Sequence, residues 1–294
     1  MTQTSRGISL FVASFFVAAL VDTPAKYLLA HGTPLHSVVF LRYAIALGSL
    51  IGLFFYRRQI PQKSRSIRTN LFRGCLLTAS TFANFYAVSQ LPLALVVSIN
   101  FAAPLFSCAL VPFILHEHVG LRRWAAVLVG FVGVLIIVRP GTQGFQPAML
   151  ASLFNAFVVA LYQIYTRKVG FRDAPETGLL WVFTVGATVT SLLMVQDGWQ
   201  MPSANLWPWA LVMGTAGLAT HILISHALRL APASVLAPFL YTQIIWMTLS
   251  GIVLFGDWPD RYTLLGASII IASGIYVWHR EQIKGVAVGV VSAD

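Results

Sequence analysis

A chain of 294 residues that is 57% hydrophobic and only 10% charged cannot cover its apolar side chains with a polar surface, since an ordinary soluble domain is about 25% charged. With a mean hydropathy of +0.78, a globular cytosolic enzyme, a disordered chain and a low-complexity fibre are all excluded. The bilayer is the solvent this composition suits, so the net charge of +10 is first a matter of membrane topology.

Taken in chain order, apolar runs bounded by breakers predict ten helical spans. They fall at about 7–30, 34–56, 69–89, 92–115, 121–138, 146–167, 177–196, 207–228, 232–255 and 260–279. Only Arg6 precedes the first run, and no small-residue cleavage pattern closes it, so it is expected as a retained helix. Gly32-Thr33-Pro34, Leu91-Pro92, Arg139-Pro140-Gly141 and Ala231-Pro232 punctuate junctions. Trp199, Trp207, Trp209, Trp258 and Trp278 lie near predicted span ends, where an interfacial aromatic belt is expected. Cys75 and Cys108 fall inside apolar segments and read as small hydrophobes.

The basic residues fix an expected orientation. With the N-terminus inside, Arg6, the 57–73 stretch (Arg57, Arg58, Lys63, Arg65, Arg68, Arg73), Arg122, Arg123, Arg167, Lys168, Arg172, Arg229, Arg280 and Lys284 all fall on the inner side. Only Arg139 and Arg261 fall outside, while Lys26 and Arg42 lie within spans. The expectation is a multi-pass protein of the cell (inner) membrane with both termini cytoplasmic. The basic 57–68 loop is then a topology anchor, and no nucleic-acid partner is expected.

The two halves echo one another. Shifting by 140 aligns Leu71 with Leu211, Gly74 with Gly214, Ala79 with Ala219, Ala87 with Ala227, Pro92 with Pro232 and Glu117 with Asp257. Shifting by 143 sets Ser9-Leu10-Phe11 on Ser152-Leu153-Phe154 and Ala13 on Ala156. The repeats are expected at 1–141 and 142–284, with a tail at 285–294. Five spans is an odd number, so the second repeat enters the membrane from the opposite side. One fold packed in two opposite orientations offers two conformations of similar energy, one open to each side, with a site near the midplane. That logic implies alternating access.

This pattern resembles the drug/metabolite transporter superfamily in its ten-helix form with two EamA-type repeats. The resemblance rests on Ala87, Leu91-Pro92, Ala94, Pro104, Glu117 and Val138-Arg139-Pro140-Gly141. The second half adds Ala227-Leu228-Arg229, Ala231-Pro232-Ala233-Ser234, Asp257, Gly266 and Gly274. It departs from the family pattern where Ile244 stands opposite Pro104 and where residue 257 is Asp in place of the more usual Glu. The resemblance implies an all-α integral membrane fold with a central cavity lined by spans 1, 3, 4, 6, 8 and 9. Within the superfamily the chain resembles bacterial amino-acid and metabolite exporters, the aromatic amino-acid exporters among them.

The residues themselves mark polar faces in those spans. Thr78, Thr81 and Phe85 share a face of span 3, and their counterparts in span 8 are Leu218, His221 and Ser225. Ser98 and Phe101 share a face of span 4, Tyr241 is the counterpart of Phe101, and Asn155 and Tyr162 share a face of span 6. Hydroxyls here can bond their own helix carbonyls, other helices or a substrate. The aromatic set is either packing or a pocket. Asp22 and Lys26, at i and i+4 around Pro24, form either a mutually neutralising pair or an outer gate or proton site. Arg42 either pairs with Asp22 or attracts a substrate carboxylate.

Absences narrow the substrate. No Lys or Arg stands in the middle of spans 3, 4, 6, 8 or 9, which argues against phosphorylated solutes. No midplane carboxylate suits a cation exporter. A zwitterion or a neutral, partly apolar solute remains, and amino acids fit. An enzyme is not expected: His116-Glu117-His118 has the wrong spacing for a zinc helix, no catalytic set is present, and no metal or cofactor is called for. The expected function is export of small metabolites, chiefly neutral or aromatic amino acids, by alternating access. The alternatives are proton-coupled or facilitated transport of another small organic solute or drug and, remotely, an intramembrane enzyme. The small-molecule substrate, the lipid bilayer and protons as coupling ion are the partners considered.

Overall fold

The computed structural model describes residues 3–58, 64, 66–114, 116, 120–169, 174–231 and 233–291. Glu117, Pro232, Lys63, Arg65 and Arg172, singled out above, lie outside the described residues. Every regular element among the described residues is helical. The first repeat comprises α1 (Gln3–Ala30), α2 (Leu35–Tyr56), α3 (Ile67–Gln90), a fourth span made of α4 (Leu93–Asn100) and α5 (Ala103–Ile114), and α6 (Leu121–Val138). The second comprises α7 (Ala148–Val169), α8 (Pro175–Asp197), α9 (Trp207–Leu230), a ninth span in pieces, and α12 (Arg261–Val291). The pieces of the ninth span are α10 (Ala233–Leu236), a 3₁₀ turn Ala237–Thr242, α11 (Gln243–Ser250) and a wider π turn Gly251–Phe255. α12 continues to Val291, into the stretch that the sequence reads as a tail.

Seven of these spans are long and apolar enough to cross a bilayer on length and composition. α3, α6 and α12 complete the ten. Large apolar side chains stand exposed along the outside of the bundle: Leu128, Val129, Val132 and Leu135 on α6, and Leu192 and Val195 on α8. In water such flanks would drive aggregation; in a bilayer the hydrocarbon covers them. Below, the face where α1 begins is the N face and the opposite one the far face.

The packing obeys the inverted repeat. α1 packs on α9 as α7 packs on α3; α2 packs on α9 as α8 packs on α3; α2 meets α8, and α6 meets α12, each helix against its own counterpart. α7 packs on α4 and α5 as α1 packs on α11 and the 3₁₀ turn of the ninth span. The most extensive contacts therefore join one repeat to the other. At the α6–α12 crossing the backbones touch: a methyl built on Gly266 would lie 2.5 Å from the Gly133 carbonyl oxygen, and one built on Gly133 would lie 2.8 Å from that of Gly266. Small residues let membrane helices approach this closely.

The fourth and ninth spans differ from the continuous helices expected. Both are interrupted at matched places, at Phe101-Ala102 and at 237–242. The cause is proline. Pro104 offers no N–H to the Asn100 carbonyl and its ring would collide with it, so α4 ends at Asn100 and α5 restarts at Ala103. Pro238 stands in the same relation to Ser234, and the chain tightens there into the 3₁₀ turn. The two breaks meet: the rings of Phe101 and Tyr241 pack edge to face at 5.0 Å.

A surface clamp also crosses between repeats at the far face. Arg139, at the end of α6, donates to Asp260 at 2.8 Å and stacks over the Tyr262 ring at 4.5 Å. Burial pushes the Asp260 carboxyl up, but the Thr263 hydroxyl and N–H and the Arg139 guanidinium outweigh it and hold the group below its usual 3.8. A depressed carboxylate stabilises the fold above its unfolded pKa and loses that contribution as pH falls through the folded one. Asp260→Asn is accordingly expected to cost under about 1 kcal/mol, because the side chain is 42% exposed. The cost should stay constant from pH 5 to 8 and fall away as the pH drops below the usual 3.8, as read by thermal unfolding of both proteins.

Candidate functional site

The centre of the bundle, between α1, α2, α3, α4, α7 and α9, holds most of the buried polar groups. Three arrangements stand out, two at the centre and one toward the far face.

The first is a cationic and aromatic cluster. Arg42 of α2 donates to the Thr81 hydroxyl of α3. Its guanidinium lies over the rings of Tyr43 at 5.3 Å and Phe85 at 5.6 Å. The Tyr43 hydroxyl donates to the Leu77 carbonyl at 2.8 Å and lies 2.7 Å from the Thr81 hydroxyl. His221 of α9 sits edge-on to Phe183 of α8 at 5.9 Å. Arg73 is the surprise. The sequence assigns it to the inner basic stretch, yet it is 8% exposed within α3. It donates to Asn70 at 2.9 Å and to the Tyr162 hydroxyl of α7 at 3.2 Å, with the Tyr162 ring 5.1 Å away. Its second-turn position places a long side chain back along the helix, and the packing of α3 on α7 and α8 then encloses it.

The second is a chain of amides. The Asn84 amide nitrogen donates to Asp22 at 2.8 Å. The Asn84 oxygen accepts from Asn100 at 3.0 Å and from Asn155 at 3.4 Å. Asn155 also donates to Asn100 at 2.9 Å and accepts from the Ser80 hydroxyl at 2.6 Å, and Ser152 donates to Asn100 at 3.1 Å. The chain ties α1, α3, α4 and α7 together at the edge of the fourth-span break. Amides fit because each presents donors and an acceptor, so a buried network can close on itself where no water reaches.

The third is an ion pair. Lys26 does not neutralise Asp22, as the i, i+4 spacing suggests. Its ammonium lies 2.6 Å from Asp257 and donates to the Leu91 carbonyl at 2.8 Å, above the Phe255 ring at 5.0 Å. Pro24 lies between Asp22 and Lys26, and the two side chains serve different neighbours: α3 for Asp22, the far-face end of the ninth span for Lys26. Asp257 is presented by Gly256, whose φ of +69° ends the π turn and lets the Asp257 N–H return to the Gly251 carbonyl at 3.0 Å.

Of the residues marked from the sequence, Thr81 and Phe85 meet Arg42, Tyr162 meets Arg73, His221 packs on Phe183, and Asn155 and Asp22 lie in the amide chain. Phe101 and Tyr241 meet at the breaks. Thr78, Ser98 and Ser225 bond their own helix at the carbonyls of Gly74, Ala94 and His221, at 2.8, 2.6 and 2.8 Å. These three satisfy themselves locally, the plainer of the readings open to a hydroxyl. Sequence reasoning missed Asn84, Asn100, Ser80, Ser152 and Arg73. The spacing of Ser80 and Asn84, i and i+4 in an apolar segment, is a signal that was present.

The EamA-like transporter family matches residues 5–139 and again 146–278. The chain is 27% identical over 278 residues to the S-adenosylmethionine uptake transporter of Rickettsia felis, covering 94% of this chain and 93% of that protein. It is 29% identical over 276 residues to the riboflavin transporter of Vibrio cholerae, covering 90% of each. A solved crystal structure superposes over 92% of this chain and 96% of its own with a TM-score of 0.63 at 16% identity, a likeness of fold. With the same family matched twice across an all-helical bundle of pseudo-symmetric packing, the chain belongs to the EamA-like transporters of the drug/metabolite transporter superfamily, and it is a membrane transporter rather than an enzyme.

Proposed function

We propose that the substrate is a small metabolite carrying an amino-acid group and a flat aromatic or heteroaromatic ring, moved by alternating access through the space between the repeats. The observation that carries this is the convergence there of opposite charges and rings. Arg42 bonds Thr81 and Asp22 bonds Asn84, three residues further along the same α3; the rings of Tyr43 and Phe85 flank the guanidinium, and Phe101 and Tyr241 pack against one another at the two breaks. A guanidinium reads a carboxylate, a carboxylate reads an ammonium, and aromatic faces take a planar ring. The relatives named for S-adenosylmethionine supply one solute with all three features, and the site residues are those in this paragraph together with Thr81, Asn155 and His221. The second reading is transport of aromatic amino acids themselves, favoured by the same Arg42–Asp22 arrangement. The charge bias supports a cell-membrane protein with both termini cytoplasmic and the far face outward.

The test is counterflow in proteoliposomes holding the full chain, loaded with S-adenosylmethionine, tryptophan or riboflavin, with and without a pH gradient. Saturable S-adenosylmethionine exchange is expected. Exchange of tryptophan alone selects the second reading, and exchange of riboflavin alone rejects both. Faster net movement under the gradient identifies the proton as coupling ion; an unchanged rate identifies a facilitator.

A further inference from the structure

Two guanidiniums stand inside this bundle without a carboxylate bonded to either among the described residues: Arg73, which is buried, and Arg42, which is half-buried. Among the described residues the ion pairs within 4 Å are Lys26–Asp257 and Arg139–Asp260, and neither includes Arg42 or Arg73. Arg73 is more than nine-tenths buried, its neighbours are the neutral groups of Asn70 and Tyr162, and its Nε has no hydrogen-bond partner. A buried charge normally has an opposite charge beside it, so an unpaired one with an unused donor is a place where an anion belongs.

The two positions are related in depth. Arg42 lies seven residues into α2 from its far-face end, and Arg73 six residues into α3 from its N-face end. At 1.5 Å per residue each is about 10 Å in from its own face. Both guanidiniums face a glycine of the second repeat: a methyl on Gly217 would sit 3.9 Å from the Arg42 Nε, and one on Gly178 3.4 Å from a terminal nitrogen of Arg73. No side chain from α8 or α9 therefore crowds either guanidinium at these points.

We infer that the transported solute carries a carboxylate that two stations hold in turn, Arg42 toward the far face and Arg73 toward the N face. This rests on the transport reading above and names the group that the site recognises. Each station offers one guanidinium to one negative charge; a phosphate dianion would need both on it at once, and they lie in opposite halves of the bundle. The sequence reading against phosphorylated solutes weighed the middles of spans 3, 4, 6, 8 and 9 and assigned Arg73 to the inner basic stretch, so this station was not counted.

Matched probe pairs test the inference on the full-length protein in detergent, read as the concentration of probe that raises the thermal midpoint. The pairs are S-adenosylmethionine against its decarboxylated form, tryptophan against tryptamine, and AMP against adenosine. The carboxylate-bearing member of the first two pairs is expected to act at about tenfold lower concentration, the worth of one charge-assisted contact, and AMP to act no better than adenosine. Arg73→Gln should weaken that preference and Arg73→Lys keep most of it. If decarboxylated forms act as well as their parents, if no carboxylate raises the midpoint, or if AMP alone does, the inference falls. The pairs are compared first on the wild type, so a variant that fails to fold does not obscure the result. Proteoliposome counterflow separates the two claims: carboxylate preference without exchange overturns the transport reading alone, and exchange without that preference overturns this inference alone.

Discussion

Lys26→Met and Asp257→Asn are each expected to lower the stability of the purified protein by about 2 kcal/mol, with a double substitution costing much less than the sum. The Lys26 ammonium touches Asp257, the Leu91 carbonyl and the Phe255 ring, so removing either charge strands the other in a place with little water. A fully buried pair broken on one side loses roughly 3–5 kcal/mol. The side chains here are 13% and 27% exposed, which brings the figure down. The pair joins α1 of the first repeat to the end of the ninth span, so it ties the two repeats together at the far face. Thermal unfolding of the two single variants and of Lys26→Met/Asp257→Asn measures the coupling. Singles within about 0.5 kcal/mol of wild type, or a strictly additive double, would show that the contact fastens nothing.

The second large effect is expected at Asn84. Its amide donates to Asp22 and its oxygen accepts from Asn100 and Asn155, so one side chain serves three helices. Membrane hydrogen bonds average about 0.6 kcal/mol apiece, which alone predicts a loss near 2 kcal/mol for Asn84→Ala. The stranded Asp22 carboxylate adds to that, and about 3 kcal/mol is the expected total. Asn84→Asp keeps the shape but sets a second carboxylate beside Asp22 and turns a donor into an acceptor, so it should be worse than alanine at pH 8 and recover as the pH falls. Thermal midpoints of both variants across pH read this directly. An aspartate variant milder than alanine at pH 8 would sink the assignment of Asp22 as the acceptor.

How much of this was legible in the sequence depends on the range over which each signal acts. Hydropathy acts along one helix, so all ten spans were found, and helical spacing put Thr81 and Phe85 on the face that Arg42 meets. The interruptions of the fourth and ninth spans left hydropathy unchanged; Pro104 and Pro238 were visible, but where the backbone stops and restarts is a question of carbonyl collisions that an apolar average does not register. Asn84, Asn100 and Asn155 find each other across three helices, and periodicity within one helix cannot pair them. Lys26 and Asp257 are 231 residues apart, whereas Lys26 and Asp22 are four, so the local partner was the natural expectation and tertiary packing overrode it. Arg73 stands near a span end where cations normally snorkel to the interface; only the fit of α7 and α8 around α3 shows that it does not. The family itself was legible, because Pro and Gly punctuation and the repeat survive where individual contacts vary.

The frame of the bundle repeats itself, but its fastenings do not. Asn84 and Asn100 correspond to Ile224 and Leu240 in the second repeat, so the amide chain has no mirror image there. Both described cross-repeat ion pairs lie on the far face. A carrier with a symmetric frame alone would rest as readily one way as the other. Under the proposed alternating access, fastenings on one face give the empty carrier a resting orientation, and they must be undone each time it returns without cargo. Substrate waiting on the other side spares it that journey, so one-for-one exchange should outpace net movement down a gradient.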